Sequence, residues 1–123
     1  MFTAKFCEAD EILKDIYSSG ADVVCFSCYI WNIEQIRKLA ADLKMACPEL
    51  LLTAGGPEAS SRGPAFAREN PWVDFVLRGE GEYPFYRLCQ VLHEPQRALE
   101  TVPGLIYRQD GKIYVNAEIE PID

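Results

Sequence analysis

Three short, mostly apolar runs alternate with helix-patterned stretches, and each run ends abruptly in small, polar or aromatic residues. The runs are Val23 to Cys28, Leu50 to Ala54 and Val73 to Leu77. A strand with one face in water alternates polar and apolar residues, whereas an unbroken apolar strand is covered on both faces. Between the first two runs, Ile33, Ile36, Leu39, Ala40, Leu43 and Cys47 recur at helical spacing, with Asn32 and Gln35 placed as a capping box and Pro48 as the stop. A shorter helix is expected from Gly63 to Glu69, ended by Asn70-Pro71. Another follows Pro84, with Phe85, Leu88, Cys89 and Leu92 as its stripe. Strand, helix, strand, helix, strand, helix is an α/β pattern, and right-handed crossovers make those strands parallel.

The flanks read differently. Phe2 to Cys7 suits an edge strand, and Asp10 caps a helix reaching Ser18, with Gly20 as its stop. After Pro103-Gly104, the segments Leu105 to Arg108 and Lys112 to Val115 flank Asp110-Gly111, the dipeptide that favours a tight hairpin. With 123 residues the chain has room for about one domain.

In an open parallel sheet the C-terminal strand tips share one edge, and ligands bind there. The three tips carry Ser27-Cys28-Tyr29-Ile30-Trp31-Asn32, then Gly55-Gly56-Pro57-Glu58, then Arg78-Gly79-Glu80-Gly81-Glu82. Gly55 and Gly56 remove two Cβ atoms where a strand meets a turn, so either a flat ligand lies against bare backbone or the turn alone needs them. Ser27 has a hydroxyl that must bond a carbonyl or a ligand atom. Tyr29 and Trp31 offer aromatic surface at the rim or pack beneath the next loop. Glu80 and Glu82 oppose an anion and no Lys-Ser/Thr follows, which excludes a P-loop; they accept hydrogen bonds from a neutral ligand or cap the next helix.

Charge and composition remove other classes. A net charge of −7 disfavours nucleic acid and anionic membranes as partners. No apolar run approaches the about 18–20 residues of a membrane span, and the N-terminus has no signal-peptide pattern, so a cytoplasmic protein is expected. Five scattered cysteines do not form a secreted disulfide framework. Cys25 and Cys28 have C-x-x-C spacing, but a strand sends them to opposite faces. His93, the single histidine, cannot complete a zinc site with them. No nucleophile-base pair or metal triad stands out, so the residues themselves describe a binding module.

The three tip motifs, in this order and at these separations, resemble the cobalamin-binding domain that precedes the barrel of B12-dependent radical S-adenosylmethionine (radical SAM) proteins. The resemblance covers nearly the whole chain. It implies a flavodoxin-like, Rossmann-like three-layer fold with a mostly parallel sheet, lacking the family's first strand and followed by a C-terminal hairpin. Residues 1–100 would form the cobalamin-binding domain, incomplete at its N-terminal side, and 101–123 a linker toward a radical SAM barrel. Cobalamin is the implied cofactor. Its nucleotide tail would run past Ser27, Cys28, Tyr29, Trp31, Asn32, Gly55, Gly56, Pro57, Glu58, Gly79, Glu80, Gly81 and Glu82. Related modules ligate cobalt with the histidine of D-x-H-x-x-G, which this sequence lacks, so a mode without a histidine ligand is implied.

The barrel's C-x-x-x-C-x-x-C motif is also absent, which leaves the iron-sulfur cluster and S-adenosylmethionine to a downstream domain and makes this chain non-catalytic by itself. One alternative is an interaction or regulatory domain of the same fold that binds no cobalamin. Another is a small enzyme using a nucleotide or flavin at the same tips. The missing first strand would lie between Phe2 to Cys7 and Val23 to Phe26. Either these two pair directly, or the open edge recruits a second copy, and a homo-oligomer is expected.

Overall fold

The computed structural model describes residues 4–7, 22–78 and 83–117. The helix expected between Asp10 and Ser18 lies outside the described residues. Six strands form one sheet in the order β1-β2-β3-β4-β5-β6. They are β1 (Ala4–Cys7), β2 (Val23–Ser27), β3 (Leu51–Gly55), β4 (Phe75–Leu77), β5 (Leu105–Gln109) and β6 (Lys112–Val115). The first four run parallel, and β5 and β6 are antiparallel additions. The fold is thus the α/β class that the alternation of apolar runs and helices implies, with the mostly parallel, flavodoxin-like sheet that the resemblance implies.

Among the described residues, four α-helices cover the sheet. They are α1 (Ile33–Ala46), α2 (Gly56–Arg62), α3 (Pro64–Glu69) and α4 (Tyr83–His93). Strand alternation divides the core in two. Val24, Phe26, Leu52, Ala54 and Val76 face Ile36, Ala40 and Leu43 of α1, Ala59 of α2 and Phe66 of α3. Val23, Cys25, Phe75, Leu77 and Leu105 face Phe85, Leu88, Val91 and Leu92 of α4. Three layers result, and the parallel strands are apolar on both sides because both sides are covered. Among the described residues no helix is long and apolar enough to cross a membrane.

At the strand bottoms, Asp74 fixes how β3 and β4 meet. Its Oδ2 accepts from the Leu52 amide at 2.8 Å and from Lys44 Nζ at 2.7 Å. Lys44 Nζ also donates to Leu50 O at 2.7 Å, so one ammonium ties α1 to the start of β3.

β1 pairs directly with β2, Ala4 opposite Val23 through Cys7 opposite Phe26. Of the two arrangements expected for these strands, the described residues take direct pairing. Two local expectations are corrected. The segment from Gly56 is helical, because Pro57 at the start of a helix has its fixed φ in register and no amide to leave unpaired. Gly63, with φ 53°, then separates α2 from α3. The Asn32–Gln35 capping box does not form, since the Asn32 side chain makes no cap hydrogen bond to α1. The hairpin forms as expected, with positive φ at both Asp110 (54°) and Gly111 (76°), the mark of a primed two-residue turn. It joins the same sheet, Leu77 of β4 pairing with Leu105 of β5.

Phe26 is the largest fully buried side chain of β2 and meets the Trp72 ring edge-on at 6.3 Å. Truncation by Phe26→Ala is expected to cost about 3–5 kcal/mol of unfolding free energy, measured by urea denaturation followed by far-ultraviolet circular dichroism.

Candidate functional site

The tips of β2 and β3 are stitched together through backbone. The Cys28 amide donates to Gly55 O at 2.8 Å, and the Glu58 amide donates to Cys28 O at 3.0 Å. The peptide of residue 28 therefore lies between the end of β3 and the first turn of α2. Gly56 makes this approach possible. Its φ is 84°, and a Cβ placed there would lie 2.8 Å from both N and O of Cys28. Gly55 differs: its backbone is extended at φ −133°, and a Cβ would meet only Cys25 Sγ, at 3.9 Å. One glycine is thus required by the protein's own backbone, while the other leaves side-chain space empty.

The loop after β2 is organised by Asn32, which is buried. Its Oδ1 accepts from the Tyr29 amide at 2.8 Å, and its Nδ2 donates to Ser27 O at 3.1 Å. The side chain closes the five residues behind it instead of capping the helix ahead of it. Cys28 points into the core beneath α1, with Sγ 3.8 Å from Phe26 O. Burial pushes its thiol up to about 12; Glu58 adds to the rise and Arg37 opposes it. Cys25 lies in the core cluster on the opposite face, so the C-x-x-C spacing brings no thiol pair together.

Between these buried anchors the loop turns outward. Tyr29 and Trp31 stack with centroids 4.6 Å apart and planes 14° from parallel. Trp31 is 76% exposed and Ile30 78%, so the stack stands at the rim as an aromatic plate. Pro57 is exposed beside it in sequence order on the next tip, and Glu58 is half-buried.

Ser27 and Gly55 are register partners. By alternation from Cys25 they face the α4 side, where Cys25, Phe75 and Leu77 pack. The Ser27 side chain is half-buried at this edge. Thr53, two residues before Gly55 on the same face, is fully buried, and its Oγ1 has no partner among the described residues. A buried unsatisfied hydroxyl costs about 1–3 kcal/mol. Sequence reasoning missed Thr53; a hydroxyl inside the otherwise apolar Leu50 to Ala54 run was the available signal.

The third tip begins at Arg78. Its Nε donates to Gly104 O at 3.4 Å and its Nη2 to Asn116 O, fastening the hairpin's two ends to β4. Gly79, Glu80, Gly81 and Glu82 lie outside the described residues. His93 closes α4 at the end away from the tips, about 15 Å from the start of the helix by its rise. Among the described residues no three His, Cys, Asp or Glu side chains gather to hold a metal ion.

The glycine pair gives a direct test. Gly56→Ala is expected to destabilise by at least about 1–3 kcal/mol from backbone conformation alone, with the contact to Cys28 adding to it. Gly55→Ala is expected to stay within about 1 kcal/mol of the parent, both read as urea midpoints. The Cys28 thiol adds a pH dependence. A thiol raised in the fold from an unfolded value near 9 favours folding fully below that value. Stability is therefore expected to fall as pH rises from about 9 toward 12, and Cys28→Ala removes that part of the alkaline slope in urea midpoints taken across this range.

A family model for the B12 binding domain matches residues 2–89, from β1 into α4. The chain is 35% identical over 94 residues, 76% of its length, to a cobalamin-dependent radical SAM methyltransferase of Streptomyces tokunonensis. It is 40% identical over 87 residues, 71% of its length, to 2-(S-pantetheinyl)-carbapenam-3-carboxylate methyltransferase of Streptantibioticus cattleyicolor. A weaker likeness, 24% over 120 residues and 93% of the chain, is to the anaerobic magnesium-protoporphyrin IX monomethyl ester cyclase of Rubrivivax gelatinosus. The chain spans 14%, 13% and 21% of the lengths of these three relatives. With most of its length matched by the family model, the chain belongs to the B12 binding domain family as a cobalamin-binding module.

Proposed function

We propose that the chain holds cobalamin with its nucleotide tail running along the tips of β2 and β3, as part of a radical SAM protein, and gives the cobalt no histidine. The observation that carries this reading is the pairing of Ser27 with Gly55. A side-chain-free position lies beside a half-buried hydroxyl on the sheet face toward α4, at the edge where open parallel sheets take their ligands. A Cβ at Gly55 would fill part of that space, so the residues present fit a flat, extended tail.

The other residues divide by what they offer. The exposed Trp31 ring, stacked on Tyr29, gives an aromatic face on which an apolar part of the ligand can rest. Pro57 and Glu58 line the β3 side, and Gly79, Glu80, Gly81 and Glu82 are assigned to the third loop around the tail. Cys28, Asn32 and Gly56 act indirectly: their buried side chains or backbone set the loops, and they reach the cofactor through main chain at most. The mode without histidine is supported by the sequence, whose single histidine ends α4 away from the tips. When bound, cobalamin supplies a cobalt centre for group transfer. The iron-sulfur cluster and S-adenosylmethionine belong to another domain of the parent, which the two methyltransferase relatives suggest is a methyl-transferring enzyme.

Hydroxocobalamin mixed with the purified chain is expected to co-elute with it in gel filtration, followed by visible absorbance. Gly55→Val should abolish co-elution while leaving the urea midpoint within about 1 kcal/mol, because the extended backbone accepts a β-branched residue. His93→Ala should leave the bound spectrum unchanged. Cobalamin eluting only at the small-molecule volume would overturn the reading, and a spectral change in His93→Ala would overturn its histidine-free part.

A further inference from the structure

β6 ends the strand order, so among the described residues no strand pairs along its outer edge. Which backbone groups that edge offers follows from the hairpin. The Asn116 amide donates to Leu105 O at 2.9 Å, and by ladder alternation Tyr114 and Lys112 also turn their main-chain groups toward β5. Ile113 and Val115 therefore turn theirs outward. Natural sheets blunt such an edge with charges, proline or a bulge. In β6 only Lys112, beside the turn, is charged, while Tyr114 and Val115 are 40% and 48% exposed.

We propose that two copies of the chain associate through β6, antiparallel, so that their six-stranded sheets join into one. A twofold axis normal to the sheet keeps each side chain on its own face. With the axis beside Tyr114, Tyr114 faces the partner's Tyr114, Ile113 faces the partner's Val115, and Lys112 faces the partner's Asn116. In this register the outward groups meet: Ile113 and the partner's Val115 exchange two hydrogen bonds, and the symmetric pair exchanges two more. An axis beside Ile113 would set Val115 against the turn. One beside Val115 would call on the Ala117 carbonyl, which already accepts from the Gly104 amide. Tyr114 stacks on Tyr107 with centroids 5.2 Å apart, so the join continues an aromatic row on the α4 face. On the other face Ile113, packed against the cluster under α1 and α3, continues onto the partner's Val115. No like charges are opposed along the strand. The contact is small, four residues a side against about 20–30 in a standard interface, and net charges of −7 repel the two copies. A dissociation constant of about 10⁻⁵–10⁻⁴ M is expected, tightening as salt screens that repulsion. The proposal is independent of cobalamin.

Sedimentation equilibrium of the purified chain, from about 5 to 500 μM and at about 0.1 and 0.5 M sodium chloride, measures the association. Val115→Pro removes an outward amide and no inward one, so it should weaken the dimer at least about tenfold and leave the urea midpoint close to the parent's. Cysteine substitution reads the register, whatever the stability of Val115→Pro. Under mild oxidant, Tyr114→Cys places two thiols at the axis within disulfide reach and should give a covalent dimer on a non-reducing gel. Lys112→Cys lies about 14 Å from its counterpart by strand rise and should cross-link no more than the parent, whose own cysteines set the background. A monomer at every concentration would overturn the proposal. So would a dimer that survives Val115→Pro, weakens with added salt, or cross-links equally through both cysteine variants.

Discussion

The backbone of Cys28 is held from two sides, and the candidate site depends on that hold. Its amide reaches Gly55 O and its carbonyl receives the Glu58 amide, so the exit of β2 and the β3–α2 turn are one hydrogen-bonded unit. The unit closes only because residue 56 has no Cβ and accepts a left-handed φ. Asn32 extends the same unit, binding Ser27 and Tyr29 so that the loop leaves the sheet on a fixed path. Tyr29 and Trp31 are therefore displayed from a rigid base, and an exposed aromatic pair needs such a base to present one defined surface. Preorganisation of this kind lowers the ordering cost that a ligand would otherwise meet on binding.

The two glycines show why a glycine pair cannot be interpreted as a single feature. Gly56 is explained completely by contacts within the chain. Gly55 is not: its backbone is ordinary, and among the described residues a Cβ there would come within 4 Å of the Cys25 thiol alone. The asymmetry separates a folding requirement from a binding opportunity at adjacent positions. A similar division runs through the first tip, where Cys28 and Asn32 turn inward while Tyr29 and Trp31 turn outward.

Much of the fold was legible in the residues because it depends on local pattern. Mostly apolar runs marked β2, β3 and β4, the 3.6-residue spacing of Ile33, Ile36, Ala40 and Leu43 marked α1, and Asp110-Gly111 marked the hairpin. What escaped was set by distance or by competition. Helix α2 was hidden because Gly-Gly-Pro signals a turn as strongly as it permits a helix start. Asn32 sits where a cap belongs, yet two backbone groups behind it compete for its amide and win. Thr53 becomes notable only once its neighbours are known to leave Oγ1 unpartnered, which no pattern along one strand reveals. The stacked pair of Tyr29 and Trp31 could be placed near the tip from sequence, but their exposure depends on how tightly Asn32 draws in the residues around them.

The hairpin has a further consequence, which is one of parity. A single added strand would carry the backbone from the rim to the opposite edge of the sheet, about 17 Å away over five residues. Two traverses bring it back. β5 starts at Leu105 opposite Leu77, descends to Gln109, and β6 returns until Val115 lies opposite Ile106. Arg78 fastens Asn116 there, and the Gly104 amide donates to Ala117 O at 2.9 Å. The polypeptide is thus delivered to the rim that carries Ser27 and Gly55, and its path at that point is anchored to the residue that opens the third tip.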